Sequence, residues 1–111
     1  MLINPLKKYK KFTDFLNKAL PVKNDYYVEF LNGYDSIKII NKTSGCIEHG
    51  FALYKTDNKT MYIPTKTPTW IIYTNMAHEY VHIWQEDNNK PFDEDEAEKL
   101  SKKLFNAFYK T

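Results

Sequence analysis

The sequence predicts an α+β domain with an N-terminal helix, a small and mostly antiparallel sheet, and two further helices. Three observations lead there. Apolar residues recur at helical spacing near the N-terminus and again over the C-terminal part. Between these stretches lie four short runs rich in β-branched and aromatic residues, broken by turn formers. The chain has 111 residues, 42% hydrophobic and 16% aromatic, the composition of one folded unit around one core. No repeat, low-complexity tract or interdomain linker divides it, so residues 1–111 are read as a single domain.

Asn4 can cap the first helix, with Pro5 at its first position. Leu6, Tyr9, Phe12, Leu16 and Leu20 then fall on one face, and Pro21 ends the element. Lys7, Lys8, Lys10 and Lys11 cover much of the polar face, which reads as solvated surface rather than a nucleic-acid or membrane patch. The strands are expected at residues 25–31, 36–42, 46–55 and 60–64. Asn32-Gly33 turns the chain after the first, and Asp57-Asn58-Lys59 makes the last two a hairpin. Residues 46–55 are the expected edge strand.

Thr67 as N-cap and Pro68 at the first helical position open the second helix, which runs to about Glu86. Trp70, Tyr73, Ala77, Val81 and Trp84 give it a broad apolar face. The polar stretch 87–91 closes it. A third helix runs from about Asp93 to Tyr109. Asp93 and Glu96 form a capping box there, with Phe92 and Ala97 as the accompanying staple. Ala97, Ser101, Leu104 and Phe108 set its core face.

The net charge of +2 is too small to name a partner. All 16 basic residues are lysine, which argues against bidentate carboxylate or phosphate clamps. Cys46 is the only cysteine, so no intrachain disulfide forms, and the residue reads as a small buried thiol. No apolar run is long enough to span a membrane, and none follows the N-terminal lysines as in a secretory leader. A cytoplasmic protein without a membrane partner is the expectation.

The chemistry concentrates in His78-Glu79-Tyr80-Val81-His82, an HExxH motif on the second helix. Residues four apart share a helix face about 6 Å apart, so both imidazoles can reach one Zn²⁺. Glu79 is placed to act on a water at that ion. A catalytic zinc takes three protein ligands and leaves one position for water. No histidine follows His82, so the acidic cluster at residues 93–98 is the place to look. Acids also suit a helix N-terminus for its dipole alone. Asp93 and Glu96 are accounted for by capping, and Asp95 and Glu96 point away from the core face. Glu94 falls at the edge of that face, an inward acid that needs a partner. Glu94 leads as third ligand, with Glu98, Glu96 and His49 behind it. Glu98, one turn on, can accept the second ring N–H of a ligating histidine.

Together these residues resemble a gluzincin-type metallopeptidase. The resemblance is carried by residues 78–85 (HEYVHIWQ) and 94–98 (EDEAE). Gluzincins pair HExxH with a downstream ExxA stretch whose first Glu is the third metal ligand, which implies that role for Glu94. The position of Glu98 matches a residue that often supports a histidine, although it is longer than the usual Asp. Size and element order are similar to the minigluzincins, which implies a zincin-like minimal catalytic domain. The strand GFALY at residues 50–54 and the HExxHxxQ extension also resemble SprT-like peptidases, whose third histidine is missing here.

The expected activity is hydrolysis of peptide bonds in a peptide or protein substrate, with Zn²⁺ as cofactor and Glu79 as general base. His49 and Tyr54 are candidates to stabilise the transition state. Cys46 can cap the zinc in a latent form, and the long last helix offers another way to cover the cleft. Two other readings stand beside this one. One is a zincin-like binding module without turnover. The other is a DNA-associated SprT-like protease using the lysines at residues 7–11. The sequence leaves the oligomeric state open.

Overall fold

The computed structural model describes residues 1–32 and 52–110. In chain order these form β1 (Leu2–Ile3), a 3-10 turn (Lys7–Tyr9) leading into α1 (Lys10–Ala19), β2 (Tyr26–Leu31), β3 (Leu53–Lys55), β4 (Thr60–Pro64), α2 (Thr69–Asp87) and α3 (Glu94–Tyr109). Three helices and a four-stranded mixed sheet make an α+β domain, with strand order β1-β2-β4-β3 among the described residues. The expected strand at residues 36–42, the first part of the one at 46–55, and the residues Gly33, Cys46 and His49 lie outside them.

The sheet corrects one expectation. Among the described residues it has three pairings: β1–β2 and β2–β4 are parallel, and the β3–β4 hairpin is antiparallel. Alternation along β2 buries Tyr26 and Val28 whichever way a neighbour runs, so the pattern carries no direction. The parallel β1–β2 pair is made possible by α1, which crosses between them. β1 itself was not expected, because two residues are too few for periodicity. Asn17 holds it from α1, accepting from the Leu2 N–H at 2.7 Å and donating to the Leu2 carbonyl at 3.0 Å.

Helix starts differ too. The Asn4 carboxamide oxygen accepts from the Leu6 N–H at 2.7 Å, and its NH₂ donates to Thr13 Oγ1 at 2.9 Å. It therefore makes a local turn, the α-helix begins at Lys10, and Leu6 is exposed. Tyr9, Phe12 and Leu16 are buried as the spacing predicts. The lysines at positions 7, 8, 10 and 11 are exposed, with Lys10 paired to Asp14 at 2.6 Å.

Thr67 does not cap α2. Pro68 stands at N-cap, its carbonyl accepts from the N–H groups of Ile71 and Ile72, and Thr67 Oγ1 is buried with no partner among the described residues. The buried stripe of α2 runs through Ile72, Met76, Tyr80 and Ile83, with Ala77 and Val81 beside it, while Trp70 is 56% exposed. Trp70 was expected on the apolar face, but it lies in the first turn, before the helix meets the core.

In α3, Asp93 caps as expected, accepting from the Glu96 N–H at 3.0 Å. The reciprocal half of the capping box is absent, because Glu96 turns to Gln85 and Lys90 instead. Nor is Phe92 a staple; it is 73% exposed. Ala97, Ser101 and Leu104 are buried and Phe108 half-buried, matching the expected core face.

Aromatic packing joins the helices. Phe12 of α1 stacks on Tyr73 of α2 at 4.5 Å between centroids and meets Phe108 of α3 edge-on at 4.9 Å. Fully buried, the Phe12 ring contributes about 1.5–3 kcal/mol through area alone, and the half-buried Tyr73 and Phe108 less. The Tyr80 hydroxyl donates to the Leu20 carbonyl at 2.7 Å and fixes α2 against the end of α1. Among the described residues no helix is long and apolar enough to cross a membrane.

Candidate metal centre

One face of α2 packs into the core and the other opens onto a cavity of about 650 Å³. His78, Glu79, His82, Gln85 and Glu86 line it from α2. Leu53, Tyr54 and Thr56 line it from the β3 side, and Phe92, Glu94 and Glu98 from the start of α3. The helical repeat puts positions 78, 82, 85 and 86 on one side, and the buried stripe through Tyr80 and Ile83 anchors the other.

His78, His82 and Glu94 converge there and could hold a metal ion: one ligand atom from each lies within 4.8 Å of the others. His82 Nε2 is 2.5 Å from Glu94 Oε1, and His78 Nε2 is 3.4 Å from Glu94 Oε2. The His82 side chain is 5% exposed, whereas that of Glu94 is 62% exposed. Glu94 was expected to point inward. It does face the histidines, but from the open rim.

The far side of each imidazole is also engaged. His78 Nδ1 faces Glu98 Oε2 at 3.5 Å, the supporting place anticipated for Glu98. His82 Nδ1 lies 2.9 Å from Gln85 Oε1. The four ring nitrogens therefore all face oxygen acceptors. Two neutral imidazoles carry two N–H groups between them. At least two of these contacts would set a lone pair against an oxygen unless protons or a cation intervene.

Glu79 is buried at the cavity wall, one residue past His78. Tyr54 also lines the cavity, but its hydroxyl donates to the Glu86 carboxylate. Burial, then that hydrogen bond and charge, push the Tyr54 phenol well above its ordinary range. Its proton is therefore committed to Glu86 at the rim. Glu96 does not join the histidines. Its hydrogen bonds to Lys90, then Gln85, hold its carboxyl below the usual range.

Two residues have roles at the site that the sequence reading does not assign to them. Gln85 was noticed only within the extended motif, and its spacing of three from His82 was the available signal. Phe92 stacks on His82 with centroids 4.3 Å apart and planes 9° apart. Nothing in an isolated Phe before a helix cap announces that contact. Comparison of the chain with protein-family models, with curated proteins and with solved structures finds no match.

Proposed function

We propose that this chain is a zinc-dependent metallopeptidase acting on a peptide or protein substrate, with His78, His82 and Glu94 as metal ligands. The observation that carries the reading is the surplus of acceptors around the two imidazoles, which one cation between the Nε2 atoms and Glu94 would relieve. The donor set fits. Ligands about 2.1 Å from a tetrahedral zinc are about 3.4 Å apart; His78 Nε2 and Glu94 Oε2 stand at 3.4 Å, and the exposed Glu94 carboxylate would have to draw back from His82 Nε2, now 2.5 Å away, to admit the ion. Imidazole nitrogen with carboxylate oxygen suits zinc better than magnesium or calcium.

A cation bound there would supply a Lewis acid and make a water acidic near neutral pH. Glu79 is the residue to take that water's proton and pass it to the departing amine nitrogen. Gln85 and Glu98 hold the two histidines from behind. β3 ends the sheet among the described residues and flanks the cavity, so an extended substrate can align along it.

The test is elemental analysis of bound metal with a peptidase assay. About one zinc per chain is expected in the wild type and in Glu79→Ala, with loss in His82→Ala and Glu94→Ala, and turnover in the wild type alone. A wild type without zinc after refolding in its presence would overturn the proposal. Zinc without turnover, with a protein ligand bound equally by Glu79→Ala, would make the chain a binding module.

A further inference from the structure

We infer that Gln85 is a positioning residue that fixes His82 with its Nε2 lone pair turned to the cavity, and that ties the third-ligand helix to the motif helix. The geometry stands by itself; its consequence for metal affinity rests on the metallopeptidase reading.

Gln85 is 1% exposed, and its carboxamide is fully used. The NH₂ donates to the Asp93 carbonyl at 3.0 Å and to Glu96 Oε1 at 2.9 Å. The oxygen accepts from the Asp93 N–H at 3.3 Å and lies 2.9 Å from His82 Nδ1. Rotating the amide by half a turn would set NH₂ against the Asp93 N–H, and oxygen against two oxygens. The orientation is thus determined by three partners that do not include the histidine. An oxygen so fixed requires a proton on His82 Nδ1, which leaves Nε2 as the free donor atom.

Competition with Glu94 does not reverse this. Glu94 can turn to solvent, being largely exposed, whereas Gln85 is locked on both sides. The same residue also spans the connection between α2 and α3. Its carbonyl accepts from the Lys90 N–H at 2.8 Å, and its side chain holds both backbone groups of Asp93, next to Glu94. Lys90 Nζ completes the tie on Glu96 at 2.8 Å. One side chain thereby couples the two-histidine helix to the glutamate helix.

Nitrogen-15 NMR of the His82 ring in the metal-free protein, above the ordinary histidine range, reads the tautomer directly. The wild type should show Nδ1–H. Gln85→Leu should show Nε2–H, because Glu94 becomes the only acceptor at His82 among the described residues. Gln85→Glu keeps an acceptor for Nδ1–H but loses both donors, so it should restore the tautomer without restoring the tie to α3. Zinc affinity by chelator competition should fall roughly 10–100-fold in Gln85→Leu. Nε2–H in the wild type, or an unchanged tautomer in folded Gln85→Leu, would overturn the inference. If Gln85→Leu does not fold, the wild type and Gln85→Glu spectra decide it. The expected tautomers in a protein that binds no zinc would uphold Gln85's role and remove only the metallopeptidase reading.

Discussion

Asp87, the last residue of α2, makes a hub whose removal has a calculable effect. Its Oδ2 accepts from the Lys23 N–H at 2.6 Å. Its Oδ1 accepts from the Asn24 N–H at 3.1 Å, the Asn24 side-chain amide at 2.8 Å and the Tyr26 hydroxyl at 3.1 Å. Lys23 and Asn24 are exposed, so water can replace part of what is lost. Taking each of the four bonds at the low end, ~0.5 kcal/mol, Asp87→Ala should cost about 2 kcal/mol. At a urea slope of ~1–2 kcal/mol/M this lowers the unfolding midpoint by about 1–2 M at neutral pH. Burial opposes ionisation of Asp87, but the hydrogen bonds outweigh it and hold its carboxyl below the usual range. A depressed folded-state value means the contribution is present above the unfolded value, about pH 4, and is lost as pH falls through the folded one. The gap between wild type and variant should therefore narrow in acid. Urea titrations followed by circular dichroism at pH 7 and pH 2–3 measure both numbers. Equal midpoints at neutral pH, or a gap that widens in acid, would refute the assignment.

If the proposed metallopeptidase reading holds, Glu79→Gln should lower turnover by roughly 10²–10⁴-fold while zinc stoichiometry is unchanged, as a combined kinetic and elemental measurement would show. Thr67→Val replaces a buried hydroxyl lacking a partner among the described residues, and should leave the melting temperature unchanged or raise it. A drop of several degrees would mean the hydroxyl is satisfied after all. The Tyr26 phenol is pushed up to about 12 by burial, then by its hydrogen bond to Asp87. Stability from this group is full below about pH 10 and fades as pH rises towards its folded value. Alkaline absorbance titration should therefore find Tyr26 ionising late, and a Tyr26→Phe variant should flatten the loss of stability in base.

The two C-terminal helices were legible because the apolar faces of α2 and α3 follow local periodicity and Asp93 is a capping residue by type and place. Glu94 could be reached by the same count around the helix. The parallel sheet was not legible, since strand direction depends on how the chain crosses, and β1 has only two residues. The starts of α1 and α2 were misplaced because Asn4 and Thr67 are good caps by type, yet Asn4 is spent on a turn and on Thr13, and Thr67 faces inward. Gln85 and Phe92 take their roles from the path of residues 88–93, which brings α3 back over His82. Such a return is a tertiary fact, invisible to spacing.

The two tryptophans give the molecule an optical gauge. Trp70 is largely in water at the start of α2. Trp84, two residues past His82, is half-buried under the Lys90 ammonium, 4.1 Å from its ring centre. That ammonium is held in turn by Glu96, which is bonded to Gln85. Any rearrangement of the α2–α3 connection changes the charge above one indole and leaves the other alone. Emission of a Trp70→Phe protein would thus report movement of that connection without a label, and Trp84→Phe would supply the silent reference.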